Sequence, residues 1–236
     1  MGYRTYIDLI AQLIAGKEIV STGMTREVDR VSAAIDMACE GKTVALVSSG
    51  DPGIYAMAGL VFEICAAREI AVTAGGAQKS SPECAALAIE VVPGIPALCA
   101  GAALLGAPLM HDFAAISLSD LLTPWEVIER RLHAAAGADF VLVIYNPKSK
   151  KRSWQLEKAQ QIALGYRSPQ TPVGIVVGAM RRNQRITITT LGQLHTAEVD
   201  MQTTVFIGNN STRRYGDFLY TLRGYGERYE IGALGG

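Results

Sequence analysis

The chain has 236 residues, 49% of them hydrophobic and 19% charged, a balance that excludes a disordered or low-complexity protein and suits one large or two small domains. Lysine plus arginine and aspartate plus glutamate each number 22, so the formal charge is zero and the basic excess of a general nucleic-acid binder is missing. The longest nearly apolar run, Cys99 to Met110, is about half of the roughly 20 residues that a bilayer needs, and Cys39, Cys65, Cys84 and Cys99 never take the paired spacing of a zinc site. No protein-bound metal, no membrane and free thiols in a reducing cytoplasm are the expectations.

In chain order, Val28, Val31, Ile35 and Ala38 recur at helical spacing, with Gly41 as a C-terminal stop. Thr43–Val47 reads as a short strand, residues 73–82 as a loop, and Ile89–Val92 as a second strand. An Ala/Gly-rich helix follows over Ala97–Leu105. A boundary near Gly106–Asp112 divides the chain into lobes 1–108 and 109–236. Beyond it come strands at Ala114–Ser117, Phe140–Tyr145, Val173–Val177, Ile186–Thr190 and Thr203–Ile207, several apolar on both faces as strands covered on each side must be. Thr123-Pro124-Trp125-Glu126 reads as a capping box with proline at the first helical position; Trp125, Ile128, Leu132 and Ala135 share a face, and Gly137 ends the helix. Leu156, Ala159 and Ala163 line another helix, with Ser153 as its candidate cap. Strand and helix alternating on this scale predict an α/β fold.

The chemistry belongs on the loops after the strands, where open α/β sheets bind ligands. Ser48-Ser49-Gly50-Asp51-Pro52-Gly53 lacks a phosphate-cradle pattern, and a carboxylate beside free backbone amides suits hydroxyls, an ammonium or a sulfonium; the plain alternative is an Asp-Pro-Gly turn. Val92-Pro93-Gly94-Ile95-Pro96-Ala97 is either a rigid turn into a helix or a second backbone wall for the same pocket. Lys148, Lys150, Lys151 and Arg152 follow Tyr145-Asn146, and Arg181-Arg182 follows Val177; these are solvated charged loops or, at strand ends in a neutral chain, sites for a small polycarboxylate. His111-Asp112 is a candidate proton-transfer pair, or a pair that hydrogen-bonds a turn.

Taken in this order, the loops resemble those of the tetrapyrrole methylases, which are S-adenosylmethionine (SAM)-dependent methyltransferases. Ser49-Gly50-Asp51-Pro52 resembles the family's Gly-Asp-Pro loop and Val92-Pro93-Gly94-Ile95 its Pro-Gly-Ile/Val motif, with Pro96 where Ser or Thr is commoner. Tyr145-Asn146, Pro172-Val173-Gly174 and Thr203-Thr204-Val205 fall where the C-terminal lobe completes the cofactor site in that family. Four longer strings, residues 50–58, 118–126, 145–152 and 199–204, resemble the branch that methylates C(17) of a corrinoid in cobalamin biosynthesis. The family's first strand and its Gly-x-Gly-Pro-Gly loop, which precede the point matching Gly2, are not in this sequence; a neighbouring strand with an unpaired edge is the expectation.

The resemblance implies two αβα lobes with SAM folded in the cleft between them, in a homodimer. It implies transfer of a methyl group to C(17) with ring contraction, on a metal-free or cobalt-containing macrocycle. Ser49, Gly50, Asp51, Ile54, Pro96, Ala97, Asn146 and Ala179 match cofactor-contact positions. Lys148, Lys150, Lys151, Arg152, Arg181 and Arg182 are the candidates for the substrate's carboxylates, and His111 or Asp112 for the proton moved in ring contraction. The alternatives are a sister corrinoid methyltransferase of different regiospecificity and a truncated, non-catalytic tetrapyrrole-binding protein.

Overall fold

The computed structural model describes residues 1–23, 26–75, 86–149 and 152–231. The chain forms two compact units, Met1–Pro96 and Ala97–Gly236.

In the first unit, β1 (Gly2–Tyr3) and β2 (Ser21–Thr22) pair in parallel, with α1 (Arg4–Leu9) between them in sequence. The helical period predicted around Val31 appears as α2 (Glu27–Cys39), which buries Val31 and Ile35 and leaves Val28 exposed. These side chains meet Met57 and Cys65 of the segment containing α3 (Ala58–Ala67) to form the unit's core. Arg30 is 2% exposed and ties this core to β2: Nε donates to Thr22 Oγ1, Nη2 to Gly23 O and Nη1 to the Met57 sulfur. The strand expected over residues 43–47 makes a single parallel bridge, Val47 to Gly2, because only the two-residue β1 runs beside it. β3 (Val72–Ala74) and β4 (Leu87–Ile89) pair in parallel. β4 ends before the expected Val92, since Val91 and Val92 turn outward to solvent ahead of Pro93. Most of the expected 73–82 loop, and Cys84, lie outside the described residues.

The second unit begins with α4 (Ala97–Leu105) and β5 (Gly106–Ala107). Its main sheet is built from β6 (Phe113–Ser117), β7 (Val141–Tyr145), β8 (Pro172–Val177), β9 (Arg185–Thr190) and β10 (Thr203–Ile207), in the order β6-β7-β10-β8-β9. β6 and β7 are parallel, and β10 lies antiparallel between β7 and β8. The period-2 rule sorts its side chains. Leu142, Ile144, Val173, Ile175, Val205 and Ile207 face a core shared with α5 (Trp125–Gly137) and α6 (Gln155–Leu164). Val143, Val176 and Phe206 face the other way, toward Leu98 and Leu105 of α4. Helices thus cover both faces. β11 (Thr212–Tyr215) and β12 (Phe218–Thr221) form a hairpin beside β5, and α7 (Tyr225–Arg228) follows.

The division falls ahead of α4, whereas the sequence reading puts it after residue 108; the helix goes with the Phe206 cluster because its apolar face packs there. Gly101 is what allows that approach, since a Cβ on it would lie 2.7 Å from two ring carbons of Phe206. Gly101→Ala is expected to destabilise the protein by about 1–3 kcal/mol, read as a lower denaturant midpoint with an unchanged slope. Two predicted helix caps are absent. α5 starts after Pro124 with no bond from Thr123, and α6 after Trp154 with none from Ser153. Pro124 itself takes the extended N-cap position of α5, and its ring offers no acceptor to the N–H groups of the first turn. The turn after α5 reverses at Asp139 (φ 59°), whose carbonyl and carboxylate accept from Asn209 Nδ2 and Asn210 N, rather than at Gly137. Cys39, Cys65 and Cys99 are free thiols. Among the described residues no helix is long and apolar enough to cross a membrane.

Candidate functional site

The first unit presents a carboxylate held in place. Gly50 (φ 77°) turns the chain so that Asp51 meets two backbone N–H groups, Gly53 N to Oδ1 at 2.8 Å and Gly94 N to Oδ2 at 3.0 Å. These bonds, Gly94's first and Gly53's second, hold the Asp51 carboxyl below its ordinary value, and slight desolvation opposes them. Both oxygens keep lone pairs for a further donor, and the hydrogen bonds sit at the surface. Gly94 packs against the turn so closely that a Cβ on it would lie 2.1 Å from Gly50 O. Gly50 in turn lies 3.7 Å, measured from where its own Cβ would be, from Ile95 O and the Pro96 Cα. Ile54 N closes the turn onto Asp51 O. Ser49, Gly50, Asp51, Ile54 and Pro96 are therefore neighbours, as the sequence reading expects.

A pH consequence follows from the depressed Asp51 pKa. Its stabilising contribution is complete above the ordinary value of 3.8 and is lost as pH falls below that, through the folded-state pKa. An NMR titration of the Asp51 carboxyl should therefore show a midpoint below 3.8, and Asp51→Asn should flatten the stability profile in that acid window.

In the second unit, the carboxyl ends of β6, β7 and β8 and the amino end of β10 share one edge of the sheet. Tyr145, the last residue of β7, accepts a hydrogen bond at its hydroxyl from Leu98 N in the first turn of α4, beside Ala97. Asn146 follows in the left-handed region (φ 51°), and its Nδ2 donates to Ser117 Oγ at 2.9 Å. Ala179 sits between Gly178 (φ 56°) and Met180 (φ 58°) in a turn fixed by Gly178 N to Gln202 O and Met180 N to Gln184 Oε1. Arg181 and Arg182 are on that turn. Lys148 and Arg182 are exposed, whereas Arg152 is 7% exposed. Lys150 and Lys151 lie outside the described residues.

His111 and Asp112 do not join this edge. They precede β6, while Ser117 ends it, and five strand residues at ~3.3 Å each put about 17 Å between the two ends. The pair instead lines an open cavity of about 310 Å³ with Leu109, Met110 and Arg223. His111 Nδ1 accepts the Asp112 N–H at 2.8 Å. The 3.6 Å approach of Nδ1 to Asp112 Oδ2 would need that same nitrogen protonated, so the two contacts exclude each other. The turn-bonding alternative fits the geometry. Ser117 and Gln202 were not singled out by sequence reasoning, because a serine ending a strand and a glutamine before one carry no pattern of their own.

A family model for tetrapyrrole (corrin/porphyrin) methylases matches residues 6–195. The chain is 48% identical to a cobalt-factor III methyltransferase of Priestia megaterium over 98% of its own length, and it spans 41% of that longer protein. It is 44% identical to a probable cobalt-factor III C(17)-methyltransferase of Salmonella typhimurium, covering 95% of this chain and 87% of that one. Its fold matches a crystal structure of the methyltransferase CobJ with a TM-score of 0.81 at 39% identity, over 94% of this chain and 87% of the other.

Proposed function

This chain belongs to the tetrapyrrole (corrin/porphyrin) methylases and stands with the C(17)-methyltransferases of cobalamin biosynthesis; from that premise we propose that it transfers a methyl group from SAM to C(17) of cobalt-factor III, with ring contraction. The observation that carries the reading at the level of residues is the Asp51 carboxylate, charged, half-buried and oriented by two backbone N–H groups. An acceptor of that kind fits the hydroxyls and the ammonium of SAM. Bound SAM supplies a methyl group on a sulfonium, a leaving group good enough that transfer needs alignment more than a protein nucleophile.

The residues of this chain supply that alignment. Asp51 and the glycine backbone at Gly50 and Gly94 fix one end of the cofactor. Ala97, Asn146 and Ala179 are the proposed contacts from the second unit. Leu98 is bonded to Tyr145, next to Asn146. Lys148, Arg181 and Arg182 offer charge-assisted bonds to the acetate and propionate groups of the macrocycle. His111 and Asp112 are left out of the set, since Asn146 and Ser117 lie at the other end of β6. Cobalt enters within the substrate.

The test is single-turnover reaction of the purified chain with methyl-labelled SAM and either cobalt-factor III or precorrin-3B. Label at C(17) of a ring-contracted product, formed faster from the cobalt substrate, is the expected result. Label at another carbon would assign a sister methyltransferase. SAM-independent binding of the corrinoid without transfer would assign a binding protein. We also read the chain as a homodimer, as the family resemblance implies, and as a cytoplasmic protein that binds no nucleic acid, in keeping with its thiols and its zero formal charge. Light scattering should then return twice the 25.2 kDa of one chain.

A further inference from the structure

We infer that Arg152 is a positioning residue for the cofactor contact at Asn146, not a ligand of the substrate's carboxylates. The inference rests on the SAM-dependent reading above. Arg152 was expected to meet an anion, yet it is 7% exposed, and among the described residues no carboxylate lies within 4.0 Å of its guanidinium. Its contacts are instead to other loops of the same sheet edge. Nη1 donates to Ser119 Oγ at 3.3 Å and Nη2 approaches the Met201 sulfur at 3.5 Å, while buried Nε has no partner. Its backbone is tied to the loop after β7 by a reciprocal pair, Ser149 N to Arg152 O and Arg152 N to Ser149 O.

The guanidinium thus joins three segments: the turn after β6, the loop after β7 and the residues leading into β10. From Ser119 the connection continues inward. Ser119 N donates to Ser117 Oγ, and that same oxygen accepts from Asn146 Nδ2. Asn146 is in the left-handed region, which an asparagine adopts readily but which still costs energy unless neighbours hold it. Ser117 is that neighbour, and Arg152 with Ser119 holds the turn that presents Ser117. Gln155 braces the same turn from α6, with Nε2 donating to Asp120 Oδ2 at 2.8 Å. The exposed cations Lys148 and Arg182 remain available for the substrate.

The experiment compares Arg152→Met, Ser119→Ala and Ser117→Ala with the wild-type chain. S-adenosylhomocysteine (SAH) affinity is measured by calorimetry, cobalt-factor III affinity by absorbance, and folding by thermal melt. A hydrogen bond to a charged group is worth enough that Arg152→Met should raise the SAH Kd about tenfold. The serine variants should shift it the same way by about threefold, with corrinoid affinity changed by less than about twofold in all three. Arg152→Lys, which can still reach Ser119, should recover part of the loss. A corrinoid affinity that falls tenfold with SAH binding intact overturns the inference, as do SAH affinities unchanged in every variant. If Arg152→Met does not fold, the two serine variants decide by the same criteria. Wild-type protein that binds no SAH overturns the SAM-dependent reading itself, and this inference with it.

Discussion

Replacing Gly94 with alanine is expected to raise the Kd for SAH at least about a hundredfold while leaving the protein folded. The added Cβ would sit 2.1 Å from Gly50 O, 3.0 Å from Gly50 C and 3.4 Å from the Asp51 Cα. Those are backbone atoms, so no side chain can rotate away to relieve the overlap. The two loops must part, and Asp51 Oδ2 then loses the Gly94 N–H, the larger of the two influences that keep it ionised and in place. Gly59→Ala is the control. It lies within α3 with nothing inside 4 Å of the added carbon, and should bind SAH as the wild type does. Calorimetric titration reads both. A Gly94→Ala protein with unaltered affinity would remove the Asp51 loop from the cofactor site.

The second large effect is on stability. Arg167→Met should cost about 3–5 kcal/mol and lower Tm by about 10 °C. Arg167 is 4% exposed and donates to the carbonyls of Phe140, Ile207 and Gly208, which lie at the start of β7 and the end of β10. Burial pulls its pKa down and the nearby Asp139 carboxylate resists that shift. Methionine fills much of the volume but leaves three carbonyl oxygens without this donor, in a core where water cannot replace it easily. Thermal and urea denaturation measure the loss. A variant within about 1 kcal/mol of wild type would mean that those carbonyls find other partners.

The second unit was largely legible because its signals are local. β10 spans the predicted Thr203–Ile207, and β7, β8 and β9 fall within a residue of their predicted ends. Runs such as Val141–Ile144 are apolar on both faces because helices cover both. The β11–β12 hairpin was not read. β11 buries only Thr212, and β12 buries Leu219 and Thr221 between the exposed aromatics Phe218 and Tyr220, so hydrophobicity along the run does not follow burial. The first unit was less legible. The apolar run at residues 43–47 looks like a full strand, but pairing depends on what lies alongside, which the run itself does not encode. At the site, the Asp51 loop was recognisable from Gly50 and Asp51, whereas its partner, the Gly94 N–H, comes from 43 residues away. Sequence counts Lys148, Arg152 and Arg182 as equivalent charges, and only packing separates the buried arginine from the exposed pair. His111 and Asp112 precede β6, so strand direction places them at the edge of the sheet opposite Ser117, a placement that their adjacency in sequence does not reveal.

The central place of β10 also fixes the order in which this protein can mature on the ribosome. β7 and β8 are complete by residue 177, yet the strand that lies between them is residues 203–207. Until those residues clear the exit tunnel, two runs rich in valine and isoleucine each carry a bare edge, the kind that captures other chains. The nascent chain is therefore most vulnerable to aggregation while β9 and the 3₁₀ segment Leu191–Thr196 emerge from the tunnel, after β8 and ahead of β10, and a pause at that stage would lengthen the exposure. Synonymous codons that speed the translation under way while those residues emerge, downstream of them by the length of chain the tunnel holds, should raise soluble yield without changing a single side chain.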